Sequence, residues 1–264
     1  MHKPNDATVA LREGIFDYAR KRLEYDPAPL DAPQTLEYLT EHAGPTVTEE
    51  GLGGLKSLKL FENVLAPATI STDHPGYLSF IPCAPTEAAK LFDLIVSASA
   101  IYGGSWMEGA GAVYAENEVL AWLAKEAGLP ATAGGVFVQG GTLGNLSALV
   151  AARHRASQAL KAAGKPRPES WKFICSAEAH SSLKAAAAVM DVEIIKAEVA
   201  EDGRLRGPAV QAALDEAENG VFAIVATGGT TNFGIVDRLD EIGKIANDNG
   251  IWFHVDGAYG LAGI

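Results

Sequence analysis

The chain has 264 residues, of which 48% are apolar and 20% charged, a composition typical of a globular protein with one large domain or two small ones. Its formal net charge of −12 argues against nucleic-acid binding, which needs clustered Lys and Arg, so we expect a small-molecule partner. No stretch approaches the roughly 18 apolar residues of a membrane span, and charges interrupt the amino-terminal segment. We therefore expect no membrane contact and a cytoplasmic location.

Cys83 and Cys175 are too few and too far apart for a disulfide framework or a zinc site, so we expect two reduced, buried thiols and no metal.

The amino-terminal segment predicts helices joined by proline-rich chain. Residues 8–25 repeat apolar side chains at intervals of four, followed by a proline, and this pattern is typical of an amphipathic helix. Its apolar stripe comprises Leu11, Ile15, Ala19 and Leu23. Shorter helical patterns follow at residues 35–41 and 59–66. We interpret residues 1–66 as a helical arm that packs on a second subunit, which predicts a homodimer.

Residues 74–82 form an aromatic stretch bracketed by prolines, which excludes a central strand and predicts a loop. Such a loop lines a ligand pocket or simply packs on the protein, and both interpretations remain open. Helices are predicted at residues 86–100 and 112–127, with a glycine-rich break at 102–111. We expect the first of these helices to lie against the core.

From residue 135 onward, predicted strands alternate with predicted helices. The strands are at residues 135–139, 171–175, 192–197, 221–227 and 251–256, and the helices are at residues 142–163, 181–190, 208–217 and 236–249. This alternation predicts an α/β fold with a mainly parallel sheet covered by helices.

Asp256 stands where the last predicted strand ends, after Ile-Trp-Phe-His-Val and before Gly-Ala-Tyr-Gly. In an open α/β sheet, ligands bind beyond the carboxyl ends of the strands, so an acid at this position favours a ligand contact. The alternative is an Asp that caps the following turn, with Gly257 as the turn residue.

The segment Gln-Gly-Gly-Thr-Leu-Gly-Asn (residues 139–145) lies between a predicted strand and a long helix. Glycines there let backbone N–H groups approach an anion, and the helix amino end adds a partial positive charge, so we expect a phosphate site. The segment lacks the Lys of a P-loop and the glycine spacing of a dinucleotide fingerprint. Tight-turn glycines beside a capping Thr142 remain the alternative.

Two further predicted strands end in polar groups, His180 in Ala-His-Ser-Ser and Thr230 in Thr-Gly-Gly-Thr-Thr. Each alone is consistent with a surface or loop residue. Because the carboxyl ends of parallel strands meet at one edge of a sheet, we expect all four segments to converge on one site.

These motifs, in this order, resemble the group II pyridoxal-phosphate-dependent amino-acid decarboxylases, the family of aromatic-amino-acid and glutamate decarboxylases. The likeness extends upstream through His74-Pro75 and covers roughly residues 60–264. The resemblance implies the aminotransferase-like type I fold, a homodimer, and α-decarboxylation of an L-amino acid. It also implies that residues 67–264 are a pyridoxal-phosphate-binding large domain.

The resemblance implies roles for seven residues. Gly140, Gly141 and Thr142 match the phosphate-binding turn, His180 the residue that stacks on the pyridine ring, Asp256 the acid at the pyridine nitrogen, Ala258 the small residue under the ring, and Thr230 a contact to the phenolic side, with Thr231 as an adjacent alternative. Among these, His180 and Asp256 are the expected catalytic residues.

The family's Schiff-base lysine follows a His beyond the Asp motif, and no lysine before Ile264 lies in a matching motif. We therefore expect the sequence to be the amino-terminal portion of a longer catalytic unit, with its large domain incomplete at the carboxyl end; an inert fragment is the alternative.

Substrate identity is less determined than cofactor identity. The expected pocket residues slightly favour an aromatic amino acid and are His74, Tyr77, Phe80, Ile81 and Tyr102. Acidic or basic substrates, and an aminotransferase or lyase of the same fold, remain open.

Overall fold

The computed structural model describes residues 4–80 and 84–263. The predicted pocket residue Ile81 and the predicted thiol of Cys83 lie outside the described residues. The chain divides into two compact units, Met1–Ile101 and Tyr102–Ile264.

The first unit is helical. Its helices are α1 (Asp6–Leu23), α2 (Leu36–Ala43), α3 (Gly54–Leu60), which continues into a π-helical turn (Phe61–Leu65), and α4 (Glu87–Ala98). The side chain of Asn5 accepts a hydrogen bond from the N–H of Thr8, whose hydroxyl accepts one from the N–H of Asn5, so α1 begins with a capping box. Thr86 caps α4 in the predicted way, because its hydroxyl oxygen accepts a hydrogen bond from the N–H of Ala89.

The apolar stripe of α1 packs in part on α3. A Cβ built on Gly54 would lie 2.5 Å from Cδ2 of Leu11, so the helices approach closely at that glycine. Ile15, one turn further along the stripe, is still 42% exposed. The chain therefore covers part of the stripe itself, and packing of this arm on a second subunit stays a prediction.

Helix α4 belongs to the first unit, and its expected packing against the core stays a prediction. None of its residues is buried, and Phe92 and Ile95 are 64% and 54% exposed. The sequence pattern correctly predicted an apolar helix, but apolar character alone does not specify which surface covers it.

The second unit contains helices and one sheet. Its elements are α5 (Trp106–Glu126), α6 (Gly141–Ala162), β1 (Lys172–Ser176), α7 (Ser182–Met190), β2 (Glu193–Ala197), α8 (Gly207–Glu216), β3 (Val221–Thr227), α9 (Leu239–Asp248), β4 (Trp252–Asp256) and a 3-10 turn (Gly260–Gly263). The strand order is β2-β1-β3-β4, and every neighbouring pair is parallel. The predicted parallel α/β sheet is confirmed.

Alternate residues of the strands point to opposite faces of the sheet, and each face is covered by helices. Phe173 and Cys175 of β1 lie in one apolar cluster with Leu149 of α6 and Leu183 of α7. The second cluster packs the other face against α8 and α9 through Ile174, Ile224, Val210 and Ile242. Burial on both faces explains why these strands read as continuous apolar runs.

The predicted strand at residues 135–139 is wrong. A strand needs a hydrogen-bonded neighbour, and within the described residues this segment pairs with no strand of the sheet. Val136 and Phe137 are 65% and 56% exposed, and the N–H of Phe137 donates to the Glu116 carboxylate at 3.1 Å instead.

The bounds of two predicted helices also differ from the structure. Helix α5 begins at Trp106 rather than 112, with non-helical backbone at Gly109, where a Cβ would collide with the carbonyl oxygen of Tyr102. Helix α9 begins at Leu239 rather than 236. The side chain of Asp237 instead accepts hydrogen bonds from the N–H groups of Leu205 and Thr227.

Candidate active site

The carboxyl ends of β1, β3 and β4 lie at one edge of the sheet, as predicted. His180 follows β1, Thr230 follows β3 and Asp256 is the last residue of β4. The glycine turn reaches the same place although no strand precedes it, since a Cβ built on Gly141 would lie 3.5 Å from Cβ of Ala258. All four segments singled out from the sequence therefore converge.

The glycine turn leaves the amino end of α6 open. Gly140 has a φ of +86°, a conformation that favours glycine, and no described side chain caps the helix. Gly140, Gly141 and Thr142 are all exposed. The first N–H groups of a 22-residue helix thus face outward beside Ala258, which is an arrangement suited to an anion.

Asp256 is buried, with 8% of its surface exposed, and its Oδ2 accepts a hydrogen bond of 2.9 Å from Nδ2 of Asn145. Its Oδ1 lies 3.4 Å from the N–H of Ala258. The predicted turn-capping contact therefore exists but is long, whereas the amide contact is short. The weakly engaged Oδ1 leaves room for a further donor.

Asn145 lies at the centre of a buried polar network. Its Nδ2 also donates to Oγ of Ser182 at 2.9 Å, and its Oδ1 lies 2.8 Å from Nε2 of His254. Oγ of Ser182 lies 2.8 Å from Nδ1 of His180. The network joins the two predicted catalytic residues, His180 and Asp256, through one amide and one hydroxyl.

The sequence interpretation missed Asn145, Ser182 and His254 as members of the site. Signals for two of them were present. Asn145 follows Gly141 by four residues, which places both on one face of a helix, and His254 precedes Asp256 by two, which places both on one face of a strand. Ser182 follows His180 in a turn, where no such period applies.

Burial determines the charge state of His254. Removal from water lowers the pKa of its imidazole, and the neighbouring carboxylate of Asp256 acts in the opposite direction with a smaller effect. The ring is therefore neutral near pH 7, and its Nε2–H donates to Asn145.

Thr230 is buried and held by its own loop. Its N–H donates to the carbonyl oxygen of Ile235 at 2.9 Å, and its hydroxyl oxygen accepts from the N–H of Ile235 at 3.1 Å. Thr231, the adjacent alternative, is exposed. Tyr259 packs on the same loop, since Cβ atoms on Gly229 and Gly234 would lie 3.1 Å from its ring.

Asp237 is a second buried carboxylate that the sequence interpretation missed. Its oxygens accept hydrogen bonds from the N–H of Thr227 at 2.7 Å and of Leu205 at 2.8 Å. Burial raises its pKa, and the two backbone hydrogen bonds oppose that rise. Asp237 thus ties the end of β3 to the loop that precedes α8.

The predicted pocket residues belong to different units of the chain. His74, Tyr77 and Phe80 belong to the first unit, where Nδ1 of His74 accepts a hydrogen bond from the N–H of Gly76 at 2.8 Å and Phe80 is 89% exposed. Tyr102 belongs to the second unit and is 63% exposed. Their association in one pocket stays a prediction.

An ion-pair cluster precedes His74. The carboxylate of Asp73 contacts Arg22 of α1 at 2.7 Å and Lys90 of α4 at 2.9 Å. The hydrogen bond from Arg22, together with Lys90, lowers the pKa of Asp73 to about 2 despite partial burial. The loop that leads into the predicted pocket is thereby fixed to two helices.

A cavity of about 600 Å³ lies at the amino ends of the strands, lined by residues such as Lys165 and Trp171, and holds none of the predicted site residues.

Cys175 is buried, which raises the pKa of its thiol to about 12 and makes it unreactive. Among the described helices, none is long and apolar enough to cross a membrane.

Comparison with known proteins identifies the family. The pyridoxal-dependent decarboxylase conserved domain matches residues 38–263. The chain belongs to this family. It is 32% identical over 198 residues to an aromatic-L-amino-acid decarboxylase of Bacillus atrophaeus, a match that covers 73% of this chain and 40% of the relative. It is 35% identical over 193 residues to an L-2,4-diaminobutyrate decarboxylase of Rhizobium meliloti (strain 1021), covering 71% and 38%.

A solved structure agrees with the fold. The glutamate decarboxylase domain of a diaminobutyrate-pyruvate transaminase and L-2,4-diaminobutyrate decarboxylase from Vibrio parahaemolyticus superposes with a TM-score of 0.83 at 25% identity. That match covers 98% of this chain and 60% of the solved chain. The predicted decarboxylase family and fold are therefore confirmed. The matches span about two fifths of the length of the curated relatives.

Proposed function

We propose that this chain supplies the cofactor-binding part of a pyridoxal-phosphate-dependent enzyme that removes the α-carboxylate of an L-amino acid as CO₂. The observation that carries the proposal is the convergence of two features. The buried carboxylate of Asp256 and the open amino end of α6 both lie near Ala258, where one ligand with an aromatic nitrogen and a phosphate would engage both.

We assign binding of the cofactor phosphate to the glycine turn, residues 140–142. The N–H groups of Gly141 and Thr142 bind the anion, the Thr142 hydroxyl adds a donor, and Gly140 lets the backbone turn toward it. A helix amino end contributes typically about 0.3–1 kcal/mol to anion binding, and up to about 2 kcal/mol where water is partly excluded. Because this turn is poor in hydroxyls, backbone N–H groups supply most of the contacts.

Pyridoxal phosphate, when bound, supplies a protonated pyridine ring that accepts the electron pair left at the α-carbon when CO₂ departs. Asp256 holds the proton at the pyridine nitrogen, since a nearby carboxylate favours the charged form of that nitrogen. Each pKa unit of this preference amounts to about 1.4 kcal/mol. Asn145 keeps the carboxylate aimed by donating to its other oxygen.

The remaining predicted site residues position the ring. His180 would stack on one face of the ring and orient the substrate carboxylate, and Ala258, with a single methyl group, would leave space at the other face. Thr230 would contact the phenolic side of the cofactor. Its hydroxyl oxygen already accepts from Ile235, so its hydrogen remains to be donated.

An aromatic L-amino acid is the favoured substrate, because Phe80 and Tyr102 offer exposed rings and Tyr77 offers a half-buried one. The alternative is L-2,4-diaminobutyrate, which is supported by the 35% identity to the Rhizobium meliloti enzyme.

For the assembly, we propose a cytoplasmic homodimer to which the residue 1–66 arm contributes, since Ile15 and Phe16 of α1 are more than 40% exposed.

The experiment that tests the function is CO₂ release from a panel of L-amino acids by the complete gene product, with and without pyridoxal phosphate. The panel contains tryptophan, tyrosine, histidine, glutamate and 2,4-diaminobutyrate. Cofactor-dependent release from one or more of them is expected. Cofactor-dependent amino-group transfer without CO₂ would instead assign an aminotransferase to the same site.

A further inference from the structure

The direction of each hydrogen bond around Asn145 is determined by its partners. Asp256 as a carboxylate only accepts, so Nδ2 rather than Oδ1 of Asn145 faces it at 2.9 Å. The second hydrogen of Nδ2 then goes to Oγ of Ser182, and Oδ1 accepts from His254. The opposite amide orientation would place two acceptor oxygens 2.9 Å apart in a site where Asn145 is only 5% exposed.

The same directions continue to His180. Oγ of Ser182 accepts from Asn145, so its own hydrogen is available to Nδ1 of His180 at 2.8 Å. The backbone N–H of Ser182 also points at this nitrogen, at 3.2 Å, and an N–H group only donates. Two donors thus point at Nδ1, which therefore carries a lone pair, so the ring proton of His180 resides on Nε2.

We propose that Asn145 is a positioning residue that holds Asp256 with one N–H and, through Ser182, holds His180 in the Nε2–H tautomer. A neutral imidazole has one donor, so this tautomer leaves Nε2–H as the donor that His180 offers to a substrate carboxylate. The catalytic meaning of the assignment rests on the proposed function, whereas the tautomer itself does not.

The test is ¹⁵N NMR of the ring nitrogens in the complete gene product labelled at histidine, without cofactor. The signal of His180 is assigned by its loss in His180→Gln. In the wild type, we expect Nδ1 of His180 to show the shift of an unprotonated nitrogen and Nε2 that of a protonated one. A wild-type His180 with its proton on Nδ1 would overturn the proposal.

Two variants interrupt the chain of hydrogen bonds at different points. Ser182→Ala removes the hydroxyl donor, and Asn145→Asp makes that hydroxyl donate to the new carboxylate instead of to His180. In each, we expect the ratio of the two His180 tautomers to move about fivefold toward Nδ1–H, which corresponds to the loss of one hydrogen bond of about 1 kcal/mol. Ser181→Ala, a neighbouring exposed serine that makes no side-chain cap, is the matched control and should leave the ratio unchanged.

If Asn145→Asp does not fold, Ser182→Ala and the wild-type spectrum decide. An unchanged tautomer ratio in Ser182→Ala would show that Asn145 does not act on His180 through that hydroxyl, and the proposal would fail. Failure of the proposed function looks different, because the Nε2–H tautomer would then be observed in a protein that binds no pyridoxal phosphate.

Discussion

Nδ2 of Asn145 donates a hydrogen bond of 2.9 Å to Oδ2 of Asp256, across 111 positions of sequence. This contact joins the helix that begins at the glycine turn to the strand that ends at the acid. The expected phosphate site and the expected pyridine-nitrogen site therefore lie on two elements that a direct hydrogen bond joins.

Asp256→Asn is expected to retain the fold and cofactor binding but to lower kcat for decarboxylation by tenfold or more, about 1.4 kcal/mol or greater. The amide no longer favours the charged pyridine nitrogen. Stopped-flow CO₂ assays and cofactor absorbance on the complete gene product measure both quantities. Asp248→Asn, at an exposed α9 position, is the control and should keep its activity. Activity of Asp256→Asn within about twofold of wild type would contradict the assigned role.

Gly140→Ala is expected to destabilise the second unit by about 1–3 kcal/mol, because its φ of +86° with ψ of 158° lies in a region that side chains rarely adopt. Gly141→Ala should be tolerated, since its Cβ would make an ordinary contact of 3.5 Å with Ala258. Urea denaturation compares the two. Gly111→Ala, in the interior of α5 with open space around its Cα, should be neutral or stabilising. Equal losses at positions 140 and 141 would argue against the described turn.

Asp237→Ala is expected to lower the free energy of unfolding by about 1–3 kcal/mol for each backbone N–H left without a partner, those of Thr227 and Leu205. Denaturation monitored by circular dichroism measures this. Asp240→Ala, at a 70% exposed side chain three positions along, should change stability by about 0.5 kcal/mol or less. A loss no larger than that of the control would show that water replaces the carboxylate at both N–H groups.

Asp73 makes the stability of the first unit depend on pH. Its folded pKa of about 2 lies below the ordinary carboxyl pKa of 3.8, so its ionised form stabilises the folded state above about pH 4, and that contribution is lost as the pH falls toward 2. We expect Asp73→Asn to be less stable than wild type at pH 6 and equal to it near pH 2. Thermal unfolding across this range tests the prediction, with Asp93→Asn on the exposed face of α4 as control. A constant difference between wild type and Asp73→Asn at all pH values would contradict it.

The parallel sheet was predictable because β1 and β3 are buried on both faces and all four strands are bounded by clear helical patterns. The segment 135–139 had the same local signal, yet strand pairing is a property of neighbours that a local pattern does not contain. The convergence of His180, Thr230 and Asp256 followed from topology alone. The roles of Asn145 and Ser182 did not, because a hydrogen bond between residues 37 positions apart depends on packing at the level of single ångströms.

We propose that Asp256 holds a protonated pyridine nitrogen in the bound cofactor. The most direct measurement is ¹⁵N NMR of pyridoxal phosphate labelled at its ring nitrogen and bound to the complete gene product, compared between wild type and Asp256→Asn. We expect a protonated nitrogen in wild type and an unprotonated one in the variant, because only the carboxylate favours the charged form. An unprotonated nitrogen in wild type, or the same signal in both proteins, would contradict it.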